Sequence, residues 1–349
     1  MKRLLVLACL LIMGGCDLFD RSYSAGLFPE TPANLGDINS PYDDYNSTSH
    51  VVGNVIAFIF SSKRGGRSDF NLIHESLNTS FDLKTGKFTL DNHPYGGLDV
   101  VAEQNPLTWA TGVVNSSANE LGPYIRSYDH DLLPASANYS HYGEYLMFFA
   151  SDRGGTLDIY LSHNYQDSAK SVAGLSSPVS NKQFVEPVLV PFLNSSADDA
   201  YPSFDQAYRF IYFTSNREGS FDIYRAGLPT ISPLELHTRL PALTNVPIER
   251  VPELSTEADD KCPFISGNTL VFTSNRPGGY GGYDLYYSKW DSDHWSAPVN
   301  FGKAINTASD EYRPILCRVD GFSNQLMVFS SNRPGGKGGF DLYSVGVPK

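Results

Sequence analysis

The sequence predicts an all-β fold, a single β-propeller of four-stranded blades, and three observations predict it. One unit recurs five times along the chain. Each unit divides into short strand-like runs separated by turn residues. The last unit is short of one strand, and the N-terminal segment carries a run that can supply it.

The unit is defined by two registers that recur together. One is a strand ending: Phe60-Ser-Ser-Lys-Arg64, Phe149-Ala-Ser-Asp-Arg153, Phe213-Thr-Ser-Asn-Arg217, Phe272-Thr-Ser-Asn-Arg276 and Phe329-Ser-Ser-Asn-Arg333. Glycine follows each, and then a second run: FNLI at 70–73, LDIY at 157–160, FDIY at 221–224, YDLY at 283–286 and FDLY at 340–343. The other register precedes each strand ending. It runs from Asn39 to Asp43 and Asp44, Asn115 to Asn119 and Glu120, Asn194 to Asp198 and Asp199, Ser255 to Asp259 and Asp260, and Asn306 to Asp310 and Glu311.

Within a unit, the stretch after the acidic pair reads as strand A, and the run ending in Phe-Ser/Thr-Ser as strand B. The aromatic-Asp run is strand C, and a Trp/Phe-x-x-Pro-Val stretch, as in Phe184–Val188 and Trp295–Val299, is strand D. No window shows helical periodicity. The count gives five blades; the long interval from Arg64 to Arg153 leaves six as the alternative. The chain stops soon after Tyr343, so the last unit lacks strand D. Pro32-Ala-Asn-Leu-Gly36 parallels the D segment Pro298-Val-Asn-Phe-Gly302. It is expected to complete the final blade, which would remove an exposed edge and close the ring.

The Arg-Pro-Gly-Gly corner after strand B could be a phosphate cradle or a turn. A phosphate loop needs G-x-x-x-x-G-K-[ST] opening a helix, whereas Lys337 is followed by Gly338 and a strand. Glycine supplies positive φ for a reversal and proline presets the first turn position, so the corner reads as a turn.

The SNRPGG…FDLY string resembles the WD40-like repeats of TolB-type propellers, over residues 28–349. The resemblance implies the fold, and a family whose members bind partners or act as scaffolds. The first two units depart from the pattern: Lys63 and Asp152 replace the Asn, Asn71 replaces the first strand-C Asp, and their B–C loops lack proline.

Residues 1–15 read as a lipoprotein signal peptide, with a basic start at Lys2-Arg3 and an apolar run from Leu4 to Met13, too short to span a bilayer. Met13-Gly-Gly-Cys16 resembles the lipobox of bacterial lipoproteins, which implies acylation of Cys16, a tether over 16–27 and a membrane as partner. The expected location is the bacterial cell envelope, lipid-anchored, with the outer membrane favoured. Of the remaining cysteines, Cys262 and Cys317 permit one disulfide.

The chain of 349 residues has a formal charge of −12 and no basic block, which argues against a nucleic-acid partner. There is no G-x-S-x-G or H-E-x-x-H, the histidines lack metal spacing, and no cofactor motif is present.

In a propeller the D–A and B–C loops share a face. That face should carry Asp43, Asp44, Asn119, Glu120, Asp198, Asp199, Asp259, Asp260, Asp310 and Glu311 beside Arg64, Arg153, Arg217, Arg276 and Arg333. These residues either staple the blades together or form a ring that binds a charged ligand. The strand-C acids Asp158, Asp222, Asp284 and Asp341 are expected to pair with guanidinium groups.

Two insertions, at about 78–106 with a hairpin at 80–90 and at about 126–141, should lie on the opposite face. They would form a partner surface containing Tyr95, Trp109, Tyr124, Tyr128, Tyr139 and Tyr142. The expected function is an envelope lipoprotein whose propeller is a protein- or glycan-binding scaffold. The alternative is a five-bladed glycoside hydrolase acting through axial carboxylates.

Overall fold

The structure, a computed structural model, describes residues 23–92, 106–127, 144–165 and 183–349. The signal peptide, Cys16, Tyr95, Tyr128, Tyr139 and Tyr142 lie outside the described residues.

Five antiparallel sheets form five blades. Blade 1 comprises β2 (Asp44–Val52), β3 (Val55–Ser62), β4 (Asn71–Phe81) and β5 (Phe88–Asp91). Blade 2 has β6 (Glu120–Ser127), β7 (Tyr145–Ser151), β8 (Asp158–His163) and β9 (Val188–Leu189). Blade 3 has β10 (Asp199–Phe204), β11 (Phe210–Ser215), β12 (Asp222–Gly227) and β13 (Ile248–Arg250). Blade 4 has β14 (Asp260–Ser266), β15 (Thr269–Ser274) and β16 (Asp284–Asp291), edged by β17 (His294–Trp295) and β18 (Val299–Asn300). Blade 5 joins β19 (Glu311–Cys317), β20 (Gln325–Ser331) and β21 (Asp341–Val347) to β1 (Ala33–Asn34). The inner strands touch in the cyclic order β2, β6, β10, β14, β19 and back to β2, so the ring is closed.

The N-terminal strand closes it as expected: Ala33 pairs with Ser344 and Asn34 with Tyr343. The segment before β1 adds to the closure. Asn324 holds both the amide and the carbonyl of Phe28, at 2.9 Å each, and the Phe28 ring stacks on Phe322 at 4.0 Å. After β1, buried Asn39 accepts the amide of Leu342 and donates to its carbonyl, both at 2.9 Å. The same two-way grip on the preceding blade's strand C is made by Asn115 on Leu72, Asn194 on Ile159, Ser255 on Ile223 and Asn306 on Leu285. The head-to-tail junction is therefore built like the other four.

Each motif phenylalanine, from Phe60 to Phe329, is fully buried between blades. The following Ser or Thr has a different task. Ser330, Thr214 and Thr273 accept the amides of Asn46, Cys262 and Arg313 from the next blade's inner strand. A buried amide needs such an acceptor.

The secondary structure differs from the sequence reading at three places. The hairpin at 80–90 exists, but its second arm is β5, so it is strand D of blade 1 rather than an excursion. A helix, α1 (Pro106–Val114), packs Leu107, Ala110 and Val114 inward; its spacing was masked by alanine, threonine and glycine. Short helical turns at 233–242, including α2 (Leu236–Arg239), fill the connection between β12 and β13. Cys262 and Cys317 are both buried and free, not bridged.

Replacing Asn39 with Ala leaves the Leu342 amide unpaired across the ring junction and its carbonyl with the Leu35 amide alone. The expected loss is about 1–3 kcal/mol, read as a lower urea midpoint.

Candidate functional site: two faces of the ring

Every inner strand opens with a fully buried acid: Asp44, Glu120, Asp199, Asp260 or Glu311, each 0% exposed. A carboxylate removed from water needs a cation and further donors. The same blade's arginine supplies the cation. Nη2 donates to Glu120 from Arg153 at 2.9 Å, to Asp199 from Arg217 at 2.6 Å, to Asp260 from Arg276 at 2.6 Å and to Glu311 from Arg333 at 2.9 Å. In blade 1 the contact is Arg64 Nε to Asp44 at 3.3 Å. The other donors are local: Ser40, Ser116, Ser195, Thr256 and Thr307 give their amides to the acid four residues later.

The guanidinium groups do more than neutralise charge. Each donates to the carbonyl at the end of its own D–A segment: Ile38, Val114, Leu193, Leu254 or Ile305. Each also lies over the motif phenylalanine, at 5.1 Å from its centroid in four blades and 5.4 Å in blade 2. Burial pushes the Glu311 carboxyl above its usual range even with Arg333 beside it.

The first member of each acidic pair ties neighbouring blades instead. Asp43, Asn119, Asp198, Asp259 and Asp310 accept the amides of Phe340, Phe70, Leu157, Phe221 and Tyr283, the residues that open or precede strand C of the preceding blade. Their own amides are held by the motif Asn in three blades: Asn216, Asn275 and Asn332, at 2.8 Å.

Blade 2 exchanges the two residue types. Asn119 stands where the others have Asp, and Asp152 where they have Asn. Asp152 accepts the Asn119 amide at 2.8 Å and its side-chain Nδ2 at 2.7 Å. The Asp152 departure noted in the sequence is thus half of a compensated swap with Asn119. In blade 1 Lys63 reaches Asp43 at 3.8 Å.

The glycine corner is a turn wrapped round a carboxylate of its own blade. Asp284 accepts the amides of Tyr280 and Gly281, and Asp341 those of Lys337 and Gly338. A Cβ at Gly281 would fall 2.0 Å from the carbonyl oxygen of Ser309, and one at Gly338 2.0 Å from that of Tyr42. Glycine is required there because the next blade's loop presses on the corner. Among the described residues, the expected guanidinium partner of the strand-C acids is found only for Asp222, with Arg250 at 2.9 Å. Asp284 and Asp341 take Asn300 and Asn34 from strand D instead, since those are the side chains within reach.

The opposite face carries what sequence reasoning missed. Between blades 3 and 4 a cleft of about 280 Å³ is lined by Phe210, Tyr212, Trp290 and Trp295. Trp295 donates its indole N–H to the Tyr212 hydroxyl at 3.2 Å and meets Trp290 edge-on at 5.1 Å. The buried Trp295 thereby fixes the half-buried Trp290 at the opening. Gln206, Arg209 and Asn268 form an exposed polar rim. The remaining carboxylate, Asp205, accepts the amides of Arg209 and Phe210. The signal was in the chain: Trp290 and Trp295 are two of its three tryptophans, but Trp295 read only as the start of a strand-D motif and Trp290 carried no motif.

Of the expected partner surface, Trp109 is half-buried on α1. Tyr124 is on β6, only 7% exposed, among Phe148, Phe204 and Phe264. It belongs to the core, because the inner strand continues through it before the insertion starts. Among the described residues, no group of three His, Cys, Asp or Glu side chains could hold a metal ion.

No family model matches the chain, and no curated protein matches its sequence. Solved structures resemble it in architecture. A thermostable family-43 glycoside hydrolase is 12% identical, with 86% of this chain and 88% of that one covered and a TM-score of 0.47. The catalytic domain of the GH62 α-L-arabinofuranosidase of Coprinopsis cinerea is 10% identical, covers 93% and 98%, and has a TM-score of 0.45. TolB from Acinetobacter baumannii is 14% identical, covers 84% and 52%, and has a TM-score of 0.34. At such identities these likenesses transfer no activity.

The blade 2 swap gives a double-mutant cycle. Asn119→Asp sets two carboxylates together and should cost about 1–3 kcal/mol, and Asp152→Asn should also destabilise. The double variant, which restores the arrangement of blades 3 to 5, should unfold within about 0.5 kcal/mol of wild type in urea.

Proposed function

We propose that the protein is a saccharide-binding propeller tethered to the bacterial cell envelope through lipid on Cys16. The cleft between blades 3 and 4 is its recognition site. The observation that carries this reading is the aromatic platform of Trp290, set by Trp295, beside Phe210 and beneath a polar rim. An aromatic face attracts the C–H face of a sugar ring because its quadrupole is negative there. Gln206, Arg209 and Asn268 can exchange hydrogen bonds with hydroxyl groups. The volume is near the lower end for ligand pockets, about 300 Å³, which suits one or two sugar units.

The repeat face supports a scaffolding role. Its buried acids are paired with arginine, and their outer neighbours hold backbone amides of the preceding blade. Glycoside hydrolysis, the second reading, would use the same ligand class but needs two carboxylates flanking one bond, about 5–10 Å apart. The cleft contributes one, Asp205.

The path of the N-terminal segment supports the tether. Tyr23 donates its amide to the Leu83 carbonyl at 2.7 Å and packs edge-on against Phe81, while Gly26 bridges to Phe322. These contacts bring the chain out on the face of the A–B turns, the face that also bears the cleft. Seven residue steps separate Cys16 from Tyr23, a reach of about 25 Å. The cleft face would then look toward the membrane.

Titration with oligosaccharides, followed by tryptophan fluorescence, is expected to saturate for at least one sugar class, and Trp290→Ala should weaken that binding about tenfold or more, about 1.4 kcal/mol. Saturation unaffected by Trp290→Ala, or no sugar response at all, would remove the reading. Release of reducing ends in the same preparation would select the hydrolase. Mass spectrometry of the envelope form should find a diacylglyceryl group on Cys16, and Cys16→Ser should release the protein from membranes; an unmodified Cys16 sinks the tether.

A further inference from the structure

The residue two places after each buried acid breaks the regular strand. Asn46, Gly122, Tyr201, Cys262 and Arg313 all have positive φ, between 47° and 59°. Each lies where the pairing of strands A and B slips. Five successive blades thus turn one residue of the same register toward the axis. Unlike the repeat, these five residues are all different.

They fill the axis together. The Tyr201 ring occupies the place of a blade 2 side chain, since a Cβ on Gly122 would lie 2.3 Å from it. The Tyr201 hydroxyl contacts Asn46 Nδ2 at 3.3 Å, and the Arg313 guanidinium lies 5.2 Å from the Tyr201 ring centroid. Arg313 crosses from blade 5 to donate to the carbonyls of Pro123 at 3.0 Å and Pro263 at 3.5 Å.

Arg313 is 0% exposed. No carboxylate among the described residues forms an ion pair with it, and its Nε has no partner. Nor has Asn46 Oδ1, on the same cluster. Carbonyl dipoles and an aromatic face lower the cost of an isolated buried cation but do not neutralise it. An arginine does not escape by losing its proton. The neighbours do not supply an anion either. Burial pushes the Cys262 thiol up to about 12 and the Tyr201 hydroxyl higher still, so both stay neutral. A water molecule could satisfy Nε and Oδ1 but leaves the charge standing.

We propose that a small inorganic anion of the chloride class is buried at the propeller axis, bound by Arg313 and Asn46 as a structural ion. Exchanging the two ends of the Asn46 amide lets Oδ1 accept from the Tyr201 hydroxyl and turns Nδ2 to the anion. The ion would join blades 1 and 5, the pair that meets at the chain's head-to-tail junction.

The test uses wild-type protein unfolded and refolded in sodium bromide or in sodium gluconate at equal ionic strength. The melting temperature should be higher in bromide by on the order of 2 °C or more. Crystals of the bromide form should show an anomalous peak within hydrogen-bonding distance of Arg313. Arg313→Met, which removes the buried charge, should melt at the same temperature in both salts. If that variant does not fold, the wild-type anomalous map decides alone. Axial density without anomalous signal, or equal melting of wild type in the two salts, overturns the proposal.

Discussion

A carboxylate with no exposure at the head of every inner strand is the constraint on which the ring depends. It cannot remain charged in the interior without a partner, and its blade provides one through the B–C corner. The arginine that answers it also reaches the D–A carbonyl and covers the motif phenylalanine, so one side chain joins three segments of the blade. The pair is weak evidence of added stability, since desolvation offsets much of its attraction. Its effect is on geometry: with both charges in place, the strand order of a blade and the position of its two upper loops are fixed.

The outer member of the acidic pair then carries that order from blade to blade. Asp198 holds the Leu157 amide and Asp310 the Tyr283 amide, while Asn194 and Asn306 grip the preceding strand C two residues further on. The repeat therefore divides its labour by position. The inner acid organises its own blade, and the outer residue and the Asn organise the seam. This is why the motif is so regular, and why most of its charged groups are engaged in structure rather than offered to a ligand.

That division explains what could be read from the sequence. The registers around Arg217, Arg276 and Arg333 gave the blades, their face and the closing strand at Pro32–Gly36, because each needs one residue type at one spacing. Of the Asn119–Asp152 swap only the Asp152 half stood out as a departure, and its compensation needed the distance between the two residues. The helix at Pro106–Val114 was hidden, since the inward stripe of Leu107, Ala110 and Val114 is short and is interspersed with threonine, alanine and glycine. The Trp290 cleft was illegible for a related reason. Its wall is shared by two blades, and Tyr212 and Trp295 are 83 residues apart. The axial residues from Asn46 to Arg313 were overlooked because they do not repeat.

Closure by β1 has a consequence for biosynthesis. Asn34 leaves the ribosome early, yet its side chain donates to Asp341, 307 residues downstream. Four blades can assemble in order as they emerge, but the fifth must wait for the final strand, and long-range pairing of this kind is slow. Until then the nascent chain has two unpaired edges, β20 and β1, each open to a partner from another copy. Shielding those edges until the last strand arrives is a natural task for a chaperone.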